Sequence, residues 1–272
     1  EQMHLAWQYD AKRMWIVNVG DLKPMEVPIE FFLTYAWNPA AWPAERLPEY
    51  LRLWATREFG AEHAAEIAEL VEGYTRFNGR RKPEQLAPDT YSVLNYDEAG
   101  RIARDYAALA ERAAKVAARL RPEQRDAFFQ LVQYPVAASA NMNELYVAAG
   151  LNRHYATQFR ATTNDMAERV QALYKNDVEL ARQYHAIGNG KWNHMMSQTR
   201  FGYVNWEQPR ANVLPAVHRI DVPPGANMSV AVEGSAKAWG AYGLKALDLP
   251  TFDPYVKKSH YLDIFNRGSA PF

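Results

Sequence analysis

The most evident absence in this sequence of 272 residues is cysteine. Without cysteine the chain can form neither a disulfide bond nor a thiolate metal site, although this does not fix its compartment. Long apolar runs are also missing, so the sequence predicts no membrane span. Neither sign of charge predominates, because 31 basic residues balance 31 acidic ones. This balance gives no electrostatic reason to expect nucleic acid or an anionic membrane as a partner.

Motifs of several common enzyme classes are missing as well. The sequence contains no G-x-x-x-x-G-K-[ST], no nucleotide-type G-x-G-x-x-G, no G-x-S-x-G and no H-E-x-x-H. The sequence therefore gives no motif support for an NTPase, a dinucleotide-dependent enzyme, a serine esterase or a zinc protease. His194 alone makes no metal site, since zinc needs three or four converging ligands. We predict no metal and no cofactor.

The first forty residues have the pattern of a strand, a polar loop and a helix. Residues 14–20 form a short apolar run rich in β-branched residues, which predicts a buried strand ending at Gly20. Residues 28–37 begin with proline and are apolar nearly all round, which predicts a helix. One such unit cannot bury its own sheet, so we expect its partner strands upstream of residue 1.

The middle of the chain is predicted to be helical. Apolar residues at helical spacing indicate helices over 45–59, 61–78, 97–120, 122–134, 139–149 and 152–185. The pattern predicts a break near Gly150 and a stop at Gly188-Asn189-Gly190. Beyond residue 205 the composition turns to proline, glycine and valine. Residues 218–222, 229–233 and 261–266 then read as antiparallel strands, with a turn at 223–227.

The sharpest polar cluster follows the predicted first strand, where barrel enzymes place catalytic groups. Asp21, Lys23 and Glu26 put two carboxylates and an ammonium on one short loop. A neighbouring cation and an apolar setting are the influences that tune a carboxyl group for acid/base work. The structural alternative is that Glu26 simply lies at the positive end of a helix dipole. Acid/base chemistry of this kind often uses two carboxyl groups, and no second strong candidate loop is evident.

Two further clusters and the aromatic content also have a structural and a functional interpretation. Residues 76–82 hold four cations, which could cap a helix end or bind a carboxylate. Residues 190–199 are dense in hydrogen-bonding groups and could form a domain junction or the wall of a subsite. The 8 Trp, 16 Tyr and 11 Phe could fill a helical core or stack against sugars.

Long strings in this sequence resemble glycoside hydrolase family 115. They are WIVNVGDLKPMEVPIEFFLTYAWNP (15–39), FNGRRKPE (77–84), RDAFFQLVQYPVAASANMNELY (125–146), GKWNHMMSQTRFGYVNWEQP (190–209) and YLDIFNRG (261–268). The resemblance implies a mixed, mainly α fold that begins late in a (β/α)8 barrel. Residues 1–41 would be the end of the barrel, residues 42–205 a helical region with a bundle, and residues 206–272 the start of a β-sandwich-like domain.

The resemblance also implies an activity. Members of this family remove α-1,2-linked glucuronic acid, often 4-O-methylated, from xylan by an inverting mechanism. Glu26 matches the acidic residue of the barrel loop and is the predicted acid/base group; Asp21 is grouped with it as catalytic and orients Glu26 or the uronate. The predicted substrate-binding residues are Asn18, Lys23, Tyr74, Asn78, Arg80 and Arg81.

Several expectations about the whole protein follow from this resemblance. The chain is expected to be an internal segment that lacks the N-terminal part of its barrel and is inactive alone. The expected substrate is glucuronoxylan or its oligosaccharides. The parent protein is expected to be secreted or periplasmic. A homodimer is compatible with this interpretation. Two alternatives stay open: a non-catalytic helical scaffold that binds polysaccharide or dimerises, and another uronic-acid glycosidase with similar parts.

Overall fold

The computed structural model of the protein describes residues 2–205, 207–239, 248–256 and 259–272, and this part of the chain is mainly helical. The helices are α1 Gln2–Gln8, α2 Glu26–Trp37, α3 Leu47–Phe59, α4 Ala64–Asn78, α5 Glu98–Arg119, α6 Pro122–Phe128, α7 Tyr134–Thr157 and α8 Thr163–Gly190. A π-helical segment, Phe129–Gln133, joins α6 to α7, and short 3-10 turns cover Pro39–Ala41, Ala44–Arg46 and Pro83–Gln85. No helix in the described ranges is both long and apolar enough to cross a membrane.

Two compact units divide the chain, and each is built from three stretches of sequence. Unit 1 contains Glu1–Phe77, Ala108–Ala138 and Leu180–Ser197. Unit 2 contains Asn78–Ala107, Ser139–Glu179 and Gln198–Phe272. The mainly helical class is confirmed, whereas the barrel end, the bundle and the division at residues 42 and 206 stay predictions.

Aromatic contacts hold the helices of unit 1 together. Phe31 of α2 meets Tyr50 of α3 edge to face, with ring centroids 4.7 Å apart. Phe59 meets Phe128 in the same geometry at 5.7 Å. On α4, Ile67 and Leu70 are fully buried one turn apart, as its amphipathic pattern requires. Because aromatic side chains bury large areas, these contacts fix α2 against α3 and so set the start of α2.

The strand expected over residues 14–20 is not present, which corrects the sequence prediction. This stretch has no regular secondary structure, and Met14 is 76% exposed and Ile16 is 87% exposed. No strand among the described residues pairs with it. An apolar β-branched run becomes a strand only when a neighbouring strand takes up its N–H and C=O groups, so local pattern alone gave the wrong result here.

The predicted helix break at Gly150 is also wrong, because α7 runs through this position. A β-carbon at Gly150 would lie 2.4 Å from the carbonyl oxygen of Pro88. Gly150 therefore marks a close approach of two backbone segments. The chain leaves the helix at 158–162 instead. The predicted stop at 188–190 is confirmed, since Gly188 and Asn189 both have a φ of 57°, in the left-handed region.

Residues 218–222 do not form the expected strand, and two asparagines explain why. The Asn152 side chain donates to the carbonyl of His218 at 2.9 Å and accepts from its N–H at 2.7 Å. The Asn164 side chain does the same for Ile220, at 3.0 and 3.1 Å. An amide side chain offers one donor and one acceptor, as a neighbouring strand would. The alternating segment is thus extended without a strand as its partner.

The other two predicted strands are confirmed. β1 Met228–Val232 and β2 Leu262–Asn266 pair antiparallel, with Val230 opposite Ile264. Ala231 and Phe265 point to the buried side of this small sheet and pack with Ala238. The expected turn at 223–227 connects the 218–222 segment to β1.

Candidate active site

The loop before α2 is shaped by its own residues. Asn18 Oδ1 accepts a hydrogen bond from the backbone N–H of Gly20 at 2.9 Å. Gly20 has a φ of 66°, a conformation that glycine adopts without steric cost. The Met25 N–H then donates to the Leu22 carbonyl at 3.1 Å, and α2 begins at the next residue. This local folding puts Asp21, Lys23 and Glu26 on one tight loop.

Glu26 is held by two donors that meet at one of its oxygens. The Lys23 ammonium pairs with Oε1, and Gln130 Nε2 donates to the same oxygen at 2.7 Å. The other oxygen, Oε2, is buried and has no hydrogen-bond partner among the described residues. With a side chain that is 31% exposed, Glu26 lies neither in a closed core nor in bulk water.

A cleft of about 720 Å³ in unit 1 is lined by Glu26, Asp21, Lys23, Trp192 and Met195. The Lys23 ammonium lies 4.0 Å from the centroid of the Trp192 ring, a cation–π contact. The volume falls in the range of small-molecule sites. Segment 190–199, interpreted as either a junction or a subsite wall, thus contributes a wall of this cleft.

A second glutamate of α2 lines the same cleft but has a different role. Arg57 makes a bidentate pair with Glu30, through Nη1 to Oε1 at 2.9 Å and Nη2 to Oε2 at 2.7 Å. The hydroxyl of Tyr50 also donates to Glu30 Oε1 at 2.9 Å. Burial acts to raise the pKa of Glu30, but these hydrogen bonds outweigh it and hold the pKa below its ordinary value. Glu30 therefore ties α2 to α3 as a permanent anion.

Two tyrosines are subject to the negative charge of Glu26. Burial is the main cause that raises the pKa of Tyr74, and the Glu26 carboxylate raises it further. The same two causes, in the same order, raise the pKa of Tyr184 strongly. The Tyr184 hydroxyl is buried and has no hydrogen-bond partner in the described part of the chain. Both phenols therefore stay neutral at physiological pH.

The remaining predicted residue of this loop, Asn18, lies elsewhere in unit 1. It lines a separate cavity of about 680 Å³ whose walls are mostly apolar, including Met25, Phe31, Phe32 and Trp42. The structure therefore brings Asp21, Lys23 and Glu26 to one cleft, and it does not bring Asn18 there.

In unit 2, the predicted residues Asn78, Arg80 and Arg81 contact their own surroundings. Asn78 donates to Ser139 Oγ at 3.0 Å and accepts from the hydroxyl of Tyr106 at 2.9 Å. Arg80 pairs with Asp105 at 2.9 Å, and Arg81 Nε donates to the Gln85 carbonyl at 3.1 Å. Both arginines line a cavity of about 750 Å³. These contacts within the fold agree with the structural interpretation of this cluster. A role in substrate binding stays a prediction.

Gln130 and Glu30 are site residues that the sequence reasoning missed. Gln130 had a signal, because it is a polar residue inside the apolar run Phe128–Val132 and is only 7% exposed in the structure. Glu30 had none, since its arginine partner lies 27 residues further along the chain. No group of three or more histidines or acidic residues in the described ranges is arranged to hold a metal ion.

Comparison with known proteins agrees with the resemblance found in the sequence. The family described as glycosyl hydrolase family 115 matches residues 1–85. A solved family GH115 4-O-methyl-α-glucuronidase, described as specific for decorated arabinogalactans, is 27% identical with a TM-score of 0.62. The match covers 84% of this chain and 32% of that one, so this chain spans about a third of its length. None of the curated proteins matches. The predicted resemblance to family 115 is confirmed.

Proposed function

We propose that this chain, whose resemblance to glycoside hydrolase family 115 both comparisons support, is part of an enzyme that removes glucuronic acid from a polysaccharide. In this proposal the linkage is α-1,2, the sugar is glucuronic acid or its 4-O-methyl ether, and the mechanism is inverting. The observation that carries the proposal is the position of Glu26, on the wall of a cleft of about 720 Å³ together with Lys23 and Trp192.

Glu26 is proposed as the acid/base group of the reaction. It stands at the first turn of α2, on a helix that aromatic packing and the Glu30–Arg57 pair hold in place. Lys23 and Gln130 hold one oxygen, which limits rotation of the carboxyl group. A fixed carboxyl group that faces a cleft can transfer a proton to or from a bound sugar without first reorganising.

An inverting glycosidase also needs a water molecule between two carboxyl groups, which stand ~6.5–9.5 Å apart. Of the other carboxylates lining this cleft, Glu30 is bound on both oxygens by Arg57 and is unsuited to this work. We therefore keep Asp21, which is exposed on the same wall, as the residue that assists Glu26 or orients the uronate.

The uronate carboxylate is the chemical feature that distinguishes this substrate from neutral sugars. Lys23 lines the cleft as a cation, and Trp192 offers an aromatic ring beside it. Tyr74 is close enough to Glu26 for its charge to act on the phenol. We propose these residues as contacts of the sugar. For Asn18, Asn78, Arg80 and Arg81, which do not line this cleft, a substrate-binding role stays a prediction from the sequence. The polysaccharide is proposed to be glucuronoxylan, with decorated arabinogalactan as the second substrate to assay.

The experiment is the substitution Glu26→Gln in the full-length protein that carries this chain. Because glutamine cannot transfer the proton, kcat for release of uronic acid from glucuronoxylan should fall by about 10²–10⁴-fold. NMR of the first product from the unaltered enzyme should show the β-anomer, since inversion of an α-linkage gives it. The isolated chain is expected to be inactive on the same substrate.

Glu30→Gln is the matched control, one helical turn away on the same cleft. In this variant Arg57 loses its charged partner, so the free energy of unfolding should fall. The kcat should stay within about tenfold of the unaltered enzyme. Undiminished activity of Glu26→Gln would overturn the proposal. Inactivity of the full-length protein on every uronic-acid substrate, combined with binding of the isolated chain to insoluble xylan, would favour the non-catalytic scaffold.

A further inference from the structure

The π-helical segment Phe129–Gln133 interrupts an otherwise continuous run of α-helix between α6 and α7. Each π turn inserts one extra residue, which turns the side chains around it away from the positions an α-helix would give them. Such insertions are frequent at functional sites. Here the segment carries Gln130, whose side chain is buried and extends to Glu26.

The contact between Gln130 and Glu26 joins residues that are 104 positions apart in the chain. Its length of 2.7 Å is typical of a hydrogen bond to a charged acceptor. Burying an amide has a free-energy cost unless its hydrogen bonds are made. Gln130 lies in the π segment and meets this cost through its hydrogen bond to Glu26, whereas a purely apolar side chain would fill the same space without burying an amide.

Lys23 completes the arrangement from the other side. Its ammonium contacts both the Glu26 carboxylate and the Trp192 ring, whose centroid is 4.0 Å away. Lys23 and Gln130 both donate to Oε1, so the two donors select one rotamer of the carboxyl group. Oε2 is buried and accepts no hydrogen bond from the residues the structure describes.

We infer that Gln130 is a positioning residue of the active site, which the π-helical segment places to fix the orientation of Glu26 for proton transfer. This inference rests on the proposed function of Glu26. Gln130 does not line the cleft, so it acts through Glu26 and not on the sugar. The chemical step should depend on Gln130, and substrate binding should not.

The test uses Gln130→Met and Gln130→Glu in the full-length protein, with glucuronoxylan oligosaccharides as substrate. Gln130→Met keeps the volume and removes the donor, so kcat should fall about 10- to 100-fold while KM stays within about twofold. Gln130→Glu has nearly the same shape but presents a carboxyl group where the amide donor stood, so it should lower kcat by at least as much, again with KM within about twofold.

Gln133→Met is the matched control, because Gln133 belongs to the same π segment but, in the part of the chain that the structure describes, it is Gln130 and not Gln133 that hydrogen-bonds Glu26. It should retain the kcat and the KM of the unaltered enzyme. If Gln130→Met fails to fold, Gln130→Glu, which has nearly the same shape, carries the test.

Two outcomes separate the failure of this inference from failure of the proposed function. An inactive Glu26→Gln variant together with an unchanged kcat in both Gln130 variants would overturn the positioning role alone. A fully active Glu26→Gln variant would overturn the proposed function, and with it this inference.

Discussion

Two glutamates one turn apart on α2 show how partners decide the chemistry of a side chain. Glu26 and Glu30 line the same cleft and differ little in sequence context. Arg57 holds both oxygens of Glu30, which lowers its pKa and makes it a structural anion. Glu26 shares one oxygen between a lysine and an amide. The second arrangement keeps a carboxyl group oriented without neutralising both of its oxygens, which acid/base chemistry requires.

Tyr184 provides a prediction at the residue scale. Its hydroxyl is buried without a hydrogen-bond partner in the described ranges, so Tyr184→Phe should raise the free energy of unfolding by up to about 1 kcal/mol at pH 8. The raised pKa of Tyr184 means that above about pH 10 the unfolded chain loses this proton while the folded chain keeps it. Stability from this group is therefore lost as pH rises past that value, and Tyr184→Phe should show a smaller loss.

Chemical denaturation at pH 8 and pH 10.5 measures both effects on Tyr184. Tyr9→Phe is the control, since the Tyr9 side chain is 86% exposed and should change neither value. A Tyr184→Phe variant that is less stable at pH 8 than the unaltered protein would show that the hydroxyl has a stabilising partner.

At the scale of elements, most helices could be predicted from the sequence, whereas the pairing partners of the predicted strands could not. The 3.6-residue spacing of apolar side chains located α2, α3, α4 and α5 to within a few residues. The same reasoning predicted strands at 14–20 and 218–222, and neither exists. A strand is completed by a partner from elsewhere in the chain, and in the second case two asparagine side chains took that place.

Gly150 gives a prediction for α7. In the interior of a helix, alanine is normally more favourable than glycine by about 1 kcal/mol. Here the added β-carbon would lie 2.4 Å from the carbonyl oxygen of Pro88, so the backbone segments would have to separate. We expect Gly150→Ala to lower the free energy of unfolding by about 1–3 kcal/mol.

The comparison for Gly150 is Ala172→Gly, at an exposed position of α8. This exchange should cost about 1 kcal/mol from helix propensity alone. Thermal or denaturant unfolding of both variants checks that glycine is more stable than alanine at position 150, whereas alanine is more stable than glycine at position 172. A Gly150→Ala variant as stable as the unaltered protein would mean that the approach of Pro88 is looser than described.

At the scale of the whole molecule, the stability of the protein should depend on pH through His154. Burial lowers the pKa of His154, the nearby Arg160 guanidinium lowers it further, and Asp263 acts in the opposite direction. The unfolded chain binds a proton on this histidine at about pH 6.5, whereas the folded chain does so only at lower pH. Stability from this group is therefore complete above about pH 6.5 and is lost as the pH falls through the lowered pKa.

Denaturant unfolding at pH 7.5 and pH 5.5 tests the contribution of His154. His154→Gln should lose less stability between these two values than the unaltered protein does. His218→Gln is the control, since its side chain is exposed and its backbone makes the contacts to Asn152. Equal losses in His154→Gln and in the unaltered protein would contradict the prediction.

The sequence by itself determined the mainly helical class, the strands at 228–232 and 262–266, and the grouping of Asp21, Lys23 and Glu26 on one loop. Each of these depends on residues close together in the chain, where spacing and turn chemistry act directly. Only the tertiary structure decided that Gln130 holds Glu26, that Trp192 covers Lys23 and that Glu30 is tied to Arg57. These contacts join residues from 27 to 169 positions apart, and no local periodicity encodes which distant side chains will meet.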